Sequence, residues 1–262
     1  MLSILLLKVI FVMLFHLPTI IMTSPESLLK EYNEATAGLK GRFGYCVITN
    51  PEAKVGGVML VGMNPSGRGD EKKPMDYQMC KSLAEGGWGD PHNFWGPKHQ
   101  MMGKYDRYGA YVDLLPIRMT PQNKVDELDP SFRARLLEVT QKHIEEMKPR
   151  LIILLNQSAL YYWGSNEDAT WMGYDLGDPV KQIKGRWNLY QIRGLKTDKK
   201  DRINQDFFAD NGNSTKLEGS YLLHYCQVNR RRNYPRLEYL LDSNDIEDLL
   251  KEIDPEWERT LY

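Results

Sequence analysis

Two short polar segments of this chain carry residue types that could do chemistry. The first is Gly62-Met63-Asn64-Pro65-Ser66-Gly67-Arg68-Gly69. Its glycines admit backbone conformations closed to other residues, and Pro65 stiffens the turn and drives Asn64 toward an extended conformation. The result is a rigid loop offering the Asn64 amide and several backbone N–H groups to a ligand. It lacks the G-x-x-x-x-G-K-[ST] pattern of a phosphate-cradling P-loop and the G-x-G-x-x-G of a dinucleotide turn. The second runs His224-Tyr225-Cys226-Gln227-Val228-Asn229-Arg230-Arg231-Arg232-Asn233-Tyr234. Consecutive arginines cannot share one face, so this loop is basic all round and suits contact with phosphates or insertion into a DNA groove. Each segment also has a plain reading: a tight strand-exit turn, and a solvated basic turn beside a structural histidine.

Positioning these loops requires a scaffold. Gly57–Gly62, Ala110–Leu115 and Leu151–Leu155 are continuous apolar runs of the kind buried on both faces in a parallel sheet, and Tyr221–His224 is a last short strand. Tyr45–Thr49 is a further strand candidate, and Trp187–Ile192 alternates as a strand does. Ser24 can cap a helix that opens at Pro25 and runs to Leu39. Asp129-Pro130 opens a helix to Met147, with apolar Phe132, Leu136, Leu137, Val139, Ile144 and Met147 at helical spacing and Pro149 as its stop. Asn156–Trp163 reads as a helix directly after the third strand. Pro235 opens a last helix through Leu240, broken near Asp242–Asp245 and resumed to Ile253. Residues 64–107 read as a long functional loop with one helix near Met75–Ala84, and Lys196–Lys216 as a polar surface insertion. No internal repeat is present. The order β-loop-β-α-β-α-β-β-α predicts an α/β three-layer sandwich with a mostly parallel central sheet. Asn64–Gly69, Asp113–Arg118 and His224–Asn233 each follow a strand end, so all three should gather at one edge of that sheet, where ligands bind in such folds.

Taken together, the two loops resemble the active-site motifs of the uracil-DNA glycosylase superfamily, in which one motif follows the first buried strand and the other the last. Gly62-Met63-Asn64-Pro65-Ser66 is similar to the G-[IM]-N-P-[GS] of the mismatch-specific and single-strand-selective branches. His224-Tyr225-Cys226 resembles the family's H-P-S through the histidine and its position, with Tyr for Pro and Cys for Ser. Lys148–Ala159 looks like the K-P-x-(apolar strand)-G-x-x-A segment, with Asn156 in place of Gly. Ala110–Pro116 lies where the family carries a strand ending in the base-reading Asn, but this chain has Asp113.

The resemblance spans about residues 43–240, and it implies a DNA-base glycosylase that works without metal or cofactor. Asn64 would orient the attacking water, and His224 would donate to the base oxygen that becomes negative as the glycosidic bond breaks. Gly62, Met63, Pro65, Ser66 and Asp113 would line the base site. Phe94 and Trp95, with Trp88 third, would stack on a flipped base, or else tuck onto the domain as loop hydrophobes. Arg230, Arg231 and Arg232 would hold the DNA backbone. The Asp113 departure matters because Asn offers a donor and an acceptor, whereas an ionised Asp only accepts and would repel a uracil carbonyl unless protonated. Asp113 is therefore structural, or the substrate is not uracil, or activity is lost. The alternative function is a catalytically inactive nucleic-acid or nucleotide binder on the same fold. Asp70, Glu71 and Asp76 are further carboxylates of the long loop.

Bulk properties set the remaining bounds. The 262 residues suit one large domain, 23–262, functioning as a monomer. A formal net charge of −1 supplies no global field toward nucleic acid, so any binding must use a local basic patch. The three cysteines, Cys46, Cys80 and Cys226, are far apart and odd in number, which argues against a Cys-built zinc or iron–sulfur site and for a reducing compartment. His92 and His99 lie seven apart without an obvious third ligand, so no metal site is expected. Tyr161-Tyr162-Trp163 reads as core, and Tyr225 and Tyr234 as packing residues. Residues 1–22 are almost wholly apolar, broken by Lys8, His16 and Pro18. With a poor basic n-region and no A-x-A-like exit, they read as a start assigned too early, with Met22 the true start of a cytoplasmic protein. The alternative is a leader or anchor for an extracytoplasmic one.

Overall fold

An unbroken apolar run has two faces to bury, and Val58–Gly62 forms a strand buried at every residue. The structure, a computed structural model, describes residues 24–37, 50, 52–65, 96–119, 122–165, 171–196, 214–226 and 240–257. Among these the strands are, in chain order, β1 (Val58–Gly62), β2 (Ala110–Asp113), β3 (Leu151–Leu154), β4 (Tyr174–Asp175), β5 (Lys181–Ile183), β6 (Trp187–Gln191), β7 (Gly194–Leu195) and β8 (Tyr221–Tyr225). Six form one sheet in the order β2-β1-β3-β8-β6-β5. The first four run parallel, and β6 and β5 are antiparallel additions. β4 and β7 pair as a small antiparallel ribbon.

The helices are α1 (Pro25–Ala35), α2 (Gly96–Met102), α3 (Pro130–Met147) and α4 (Ser243–Ile253), with 3-10 turns at Gly103–Tyr108 and Gln122–Glu127. The capping signals in the sequence act as expected. Ser24 Oγ accepts from the Ser27 amide at 3.2 Å, and Asp129 Oδ1 accepts from the Ser131 amide at 2.8 Å. Lys148, left-handed with φ 45°, ends α3 just before Pro149. The sheet divides the core in two. Met59, Val61, Val112, Ile152, Leu154 and Leu222 pack with Leu28 and Tyr32 of α1 and Leu136, Leu137 and Ile144 of α3. Val58, Leu60, Tyr111, Leu151, Ile153 and Leu223 pack with Met101 and Met102 of α2 and Ile246, Leu249 and Leu250 of α4. This alternation along each strand is the period-two rule of pleated backbone.

Several expectations need correction. The stretch 64–107 is not loop to its end, since α2 and the Gly103–Tyr108 turn occupy its last part. Asn156–Trp163 is not a continuous helix. A turn at Gln157 and Ser158 comes first, and the helix begins only at Ala159 and Leu160 and passes at once into a π turn at Tyr161–Ser165, with Tyr162 and Trp163 drawn into the core against Trp171 and Tyr174. The resumption expected after Asp242 does occur: α4 runs from Ser243 to Ile253, and Asp242 and Asp245 form its capping box. The far end of the 196–216 insertion is tied to the core, because Glu145 on α3, itself buried, accepts from the Lys216 amide at 2.6 Å and the Tyr174 hydroxyl at 2.8 Å. β4, β5 and β7 were not expected. The candidates Tyr45–Thr49 and Met75–Ala84, the helix start at Pro235 and residues 1–22 lie outside the described residues. No helix among the described residues is long and apolar enough to cross a membrane.

Candidate functional site

Because β2, β1, β3 and β8 are parallel, their carboxyl ends share one edge. Gly62 pairs with Asp113, Val61 with Leu154, and Leu154 with His224, so the polar exits of three strands end within one residue of a common level. The expected gathering therefore occurs for the described starts of the three segments, Asn64–Pro65, Asp113–Arg118 and His224–Cys226. It is not a single cluster, however. Asp113 has the parity of Tyr111 and projects from the α2/α4 face, whereas His224 has the parity of Leu222 and projects from the α1/α3 face. They also stand three strand spacings apart, roughly 14 Å.

Asn64 is held by the exit of β2. Its Nδ2 donates to the carbonyls of Met119 at 3.1 Å, Pro65 at 3.2 Å and Ile117 at 3.3 Å. The backbone reinforces this contact, with the Leu115 amide on the Met63 carbonyl at 2.9 Å and the Met119 amide on the Pro65 carbonyl at 3.2 Å. Donor capacity is thus committed to the scaffold. The acceptor, Oδ1, has no hydrogen-bond partner among the described residues and is out of contact with solvent.

Asp113 closes β2 and is 4% exposed. Its Oδ1 accepts from the Tyr111 hydroxyl at 2.7 Å, while Oδ2 is buried without a partner among the described residues. Gly62 is what lets this pair fit: a Cβ there would lie 2.1 Å from Oδ1 and 2.6 Å from the Tyr111 oxygen. Burial pushes the Asp113 carboxyl up to about 7, against the opposing pull of the Tyr111 hydrogen bond. Near neutrality the group therefore exists both as acid and as carboxylate. Tyr111 was not singled out from the sequence, although its i, i+2 spacing to Asp113 on a strand already placed both side chains on one face.

His224 is likewise 4% exposed. Its Nε2 lies 3.1 Å from the Gln157 carbonyl oxygen. A carbonyl only accepts, so Nε2 carries the proton and donates, and Nδ1 is a bare acceptor, buried without a partner among the described residues. Burial pushes the imidazole down to about 4, opposed by the carbonyls of Gln157 and Asn156. The ring is neutral at neutral pH. Asn156, the residue standing where Gly was expected, is buried and accepts from the Ser158 hydroxyl at 3.2 Å. Lys98 on α2 is buried, and desolvation lowers it to about 7.

Met63 and Pro65 are buried beside Asn64. Ser66, Phe94, Trp95, Trp88, Arg230, Arg231 and Arg232 lie outside the described residues, as do Asp70, Glu71, Asp76, His92, Cys46 and Cys80. Among the described residues no group of three or more His, Cys, Asp or Glu side chains is placed to hold a metal ion. What the described edge offers is one amide oxygen, one carboxyl oxygen and one imidazole, all withdrawn from water and held by backbone or phenol contacts. Electrostatic interactions in such surroundings are stronger than in water. No protein-family profile matches the chain, and no curated protein is significantly similar to it.

Proposed function

We propose that this protein hydrolyses the N-glycosidic bond between a base and deoxyribose in DNA, on a uracil-DNA glycosylase-like fold. One observation carries the reading. Asn64 and His224 leave the carboxyl ends of the first and last of four parallel strands in one sheet, the placement that the resemblance implies for its two motifs. Asn64 Oδ1 accepts a hydrogen bond from a water and aims the water's lone pair at the sugar's anomeric carbon. The water oxygen bonds to that carbon, the carbon–nitrogen bond breaks and its electron pair leaves with the base, and the proton the water sheds passes through solvent to the departing base. His224 offers Nε2–H to the base oxygen on which the charge settles. The neutral imidazole stabilises that anion by hydrogen bonding, and one such donor is worth about 3–4 kcal/mol. In this step Nε2 exchanges the Gln157 carbonyl for the base. Phe94 or Trp95 stacks on the flipped base, and Arg230–Arg232 hold the phosphates.

The test is cleavage by the full chain of labelled single- and double-stranded oligonucleotides carrying uracil, mismatched uracil, hypoxanthine or xanthine, with alkali to reveal abasic sites. Cleavage should fall by about 100- to 1,000-fold in Asn64→Ala and in His224→Gln. Absence of cleavage on every substrate overturns the reading.

A second reading, a nucleic-acid or nucleotide binder without catalysis, is favoured by the His224 contact itself. Its one N–H is already given to Gln157, and Nδ1 can only accept. A binder keeps most of its DNA affinity in Asn64→Ala and shows no turnover in either form.

A further inference from the structure

The Asp113 carboxyl is the least expected group at the sheet edge, since a base-reading position there calls for a side chain that both donates and accepts. We propose that Tyr111 and Asp113 form a two-state reader of a heterocyclic base edge: carrying its proton, Asp113 donates from Oδ2 to a ring carbonyl, and without it the same oxygen accepts from an exocyclic amino group. That the ligand is a base rests on the function proposed above.

The geometry assigns each oxygen a task. The Tyr111 hydroxyl, 2.7 Å from Oδ1, donates to it, so the carboxyl's own proton goes to Oδ2. Oδ2 is the oxygen without a partner among the described residues. Tyr111 is a positioning residue: it selects which oxygen faces a ligand and favours the carboxylate. The pair is fitted against Gly62, where any Cβ would collide with both oxygens, and it lies on the strand next to the one that carries Asn64. Burial makes both forms accessible near neutrality. The titratable groups around the pair are few among the described residues. Tyr111 stands on its own strand. From α1 comes Tyr32, which is hydrogen-bonded to Thr140 of α3 and feels the Asp113 charge. β1 and its exit offer Gly62 and Asn64, which are uncharged.

Carbonyl and amino edges are distinguished by free uracil and free cytosine, whose binding to the full chain can be measured by calorimetry or saturation transfer at about pH 5.5 and about pH 8.5. Uracil affinity should fall about 30-fold between the two, following the protonated fraction, and cytosine affinity should rise. In Asp113→Asn both affinities become independent of pH. In Tyr111→Phe the crossover moves up by about one pH unit, because the phenol no longer favours the carboxylate. A structural role for Tyr111 would lower affinity without moving that midpoint. A constant preference across the pH range, the same pH dependence in Asp113→Asn, or an unmoved midpoint in Tyr111→Phe overturns the reader. So does failure of both bases to bind at either pH, whether or not DNA is cleaved. Exchange of preference without cleavage of any oligonucleotide leaves the reader standing and removes the glycosylase.

Discussion

Asp113 and His224 titrate in opposite senses, and their effects on stability oppose each other. Asp113 keeps its proton in the folded chain up to about 7, against 3.8 for the unpaired group, so its contribution to stability is full below 3.8 and is lost as pH rises to about 7. His224 stays neutral in the folded chain down to about 4, against an ordinary 6.5, so its contribution is full above 6.5 and is lost as pH falls to about 4. Across that shared window the two slopes cancel in the wild type. Removing either group should expose the other. Relative to wild type, Asp113→Asn should gain stability as pH rises from 4 to 7, reaching on the order of 2 kcal/mol above pH 7. His224→Gln should gain stability as pH falls from 6.5 to 4. Urea midpoints at a series of pH values measure both, and parallel curves for wild type and variant would mean the groups are not held as described. The same pair of ionisations shapes catalysis: activity on a carbonyl-bearing base should decline above about pH 7 with no matching acid limb down to about pH 4. Asn64 and His224 were legible as residues because a polar side chain following a buried apolar run has few structural tasks. The Tyr111 contact and the Gln157 carbonyl were not, since each depends on where a neighbouring strand or turn ends.

At the scale of elements, the buried parallel strands and α3 could be read directly, because unbroken apolar runs and an Asp-Pro start leave little alternative. The hairpin of β5 and β6 could not. Its first strand, Lys181–Ile183, is largely exposed, and its turn places Lys184 at φ 48° and Gly185 at φ 65°. The paired ends Ile183 and Trp187 leave three residues between them, and two successive left-handed positions there are usually announced by Asn-Gly, which Lys-Gly hides. The π turn after β3 was missed for a different reason: Tyr162 and Trp163 fit a helical pattern, but their burial against Trp171 and Tyr174 sets the local backbone. Glu145 is the clearest energetic element. It holds the Tyr174 hydroxyl and the Lys216 amide, joining α3 to β4 and to the approach to β8. Glu145→Ala should destabilise the fold by about 3 kcal/mol in urea denaturation, since it strands buried donors as well as losing a carboxylate. A loss below about 0.5 kcal/mol would show that water replaces the carboxylate there.

At the scale of the molecule, the near-neutral chain gives no general attraction to nucleic acid, so DNA affinity has to come from a local cluster. Neutralising Arg230, Arg231 and Arg232 together should reduce the slope of log affinity against log salt by about 2 to 3. An unchanged slope would place the phosphate contacts elsewhere. The sheet has a consequence of another kind. Among the described residues β8 is the last of its strands along the chain, yet it stands between β3 and β6 and joins the parallel strands to the hairpin. Until residues 221–225 have left the ribosome, a nascent chain holds two open edges, one of them the wholly apolar Leu151–Leu154. Chains arrested before Tyr221 should therefore stay sensitive to protease and be held by chaperones, while chains arrested far enough beyond it should close in one step.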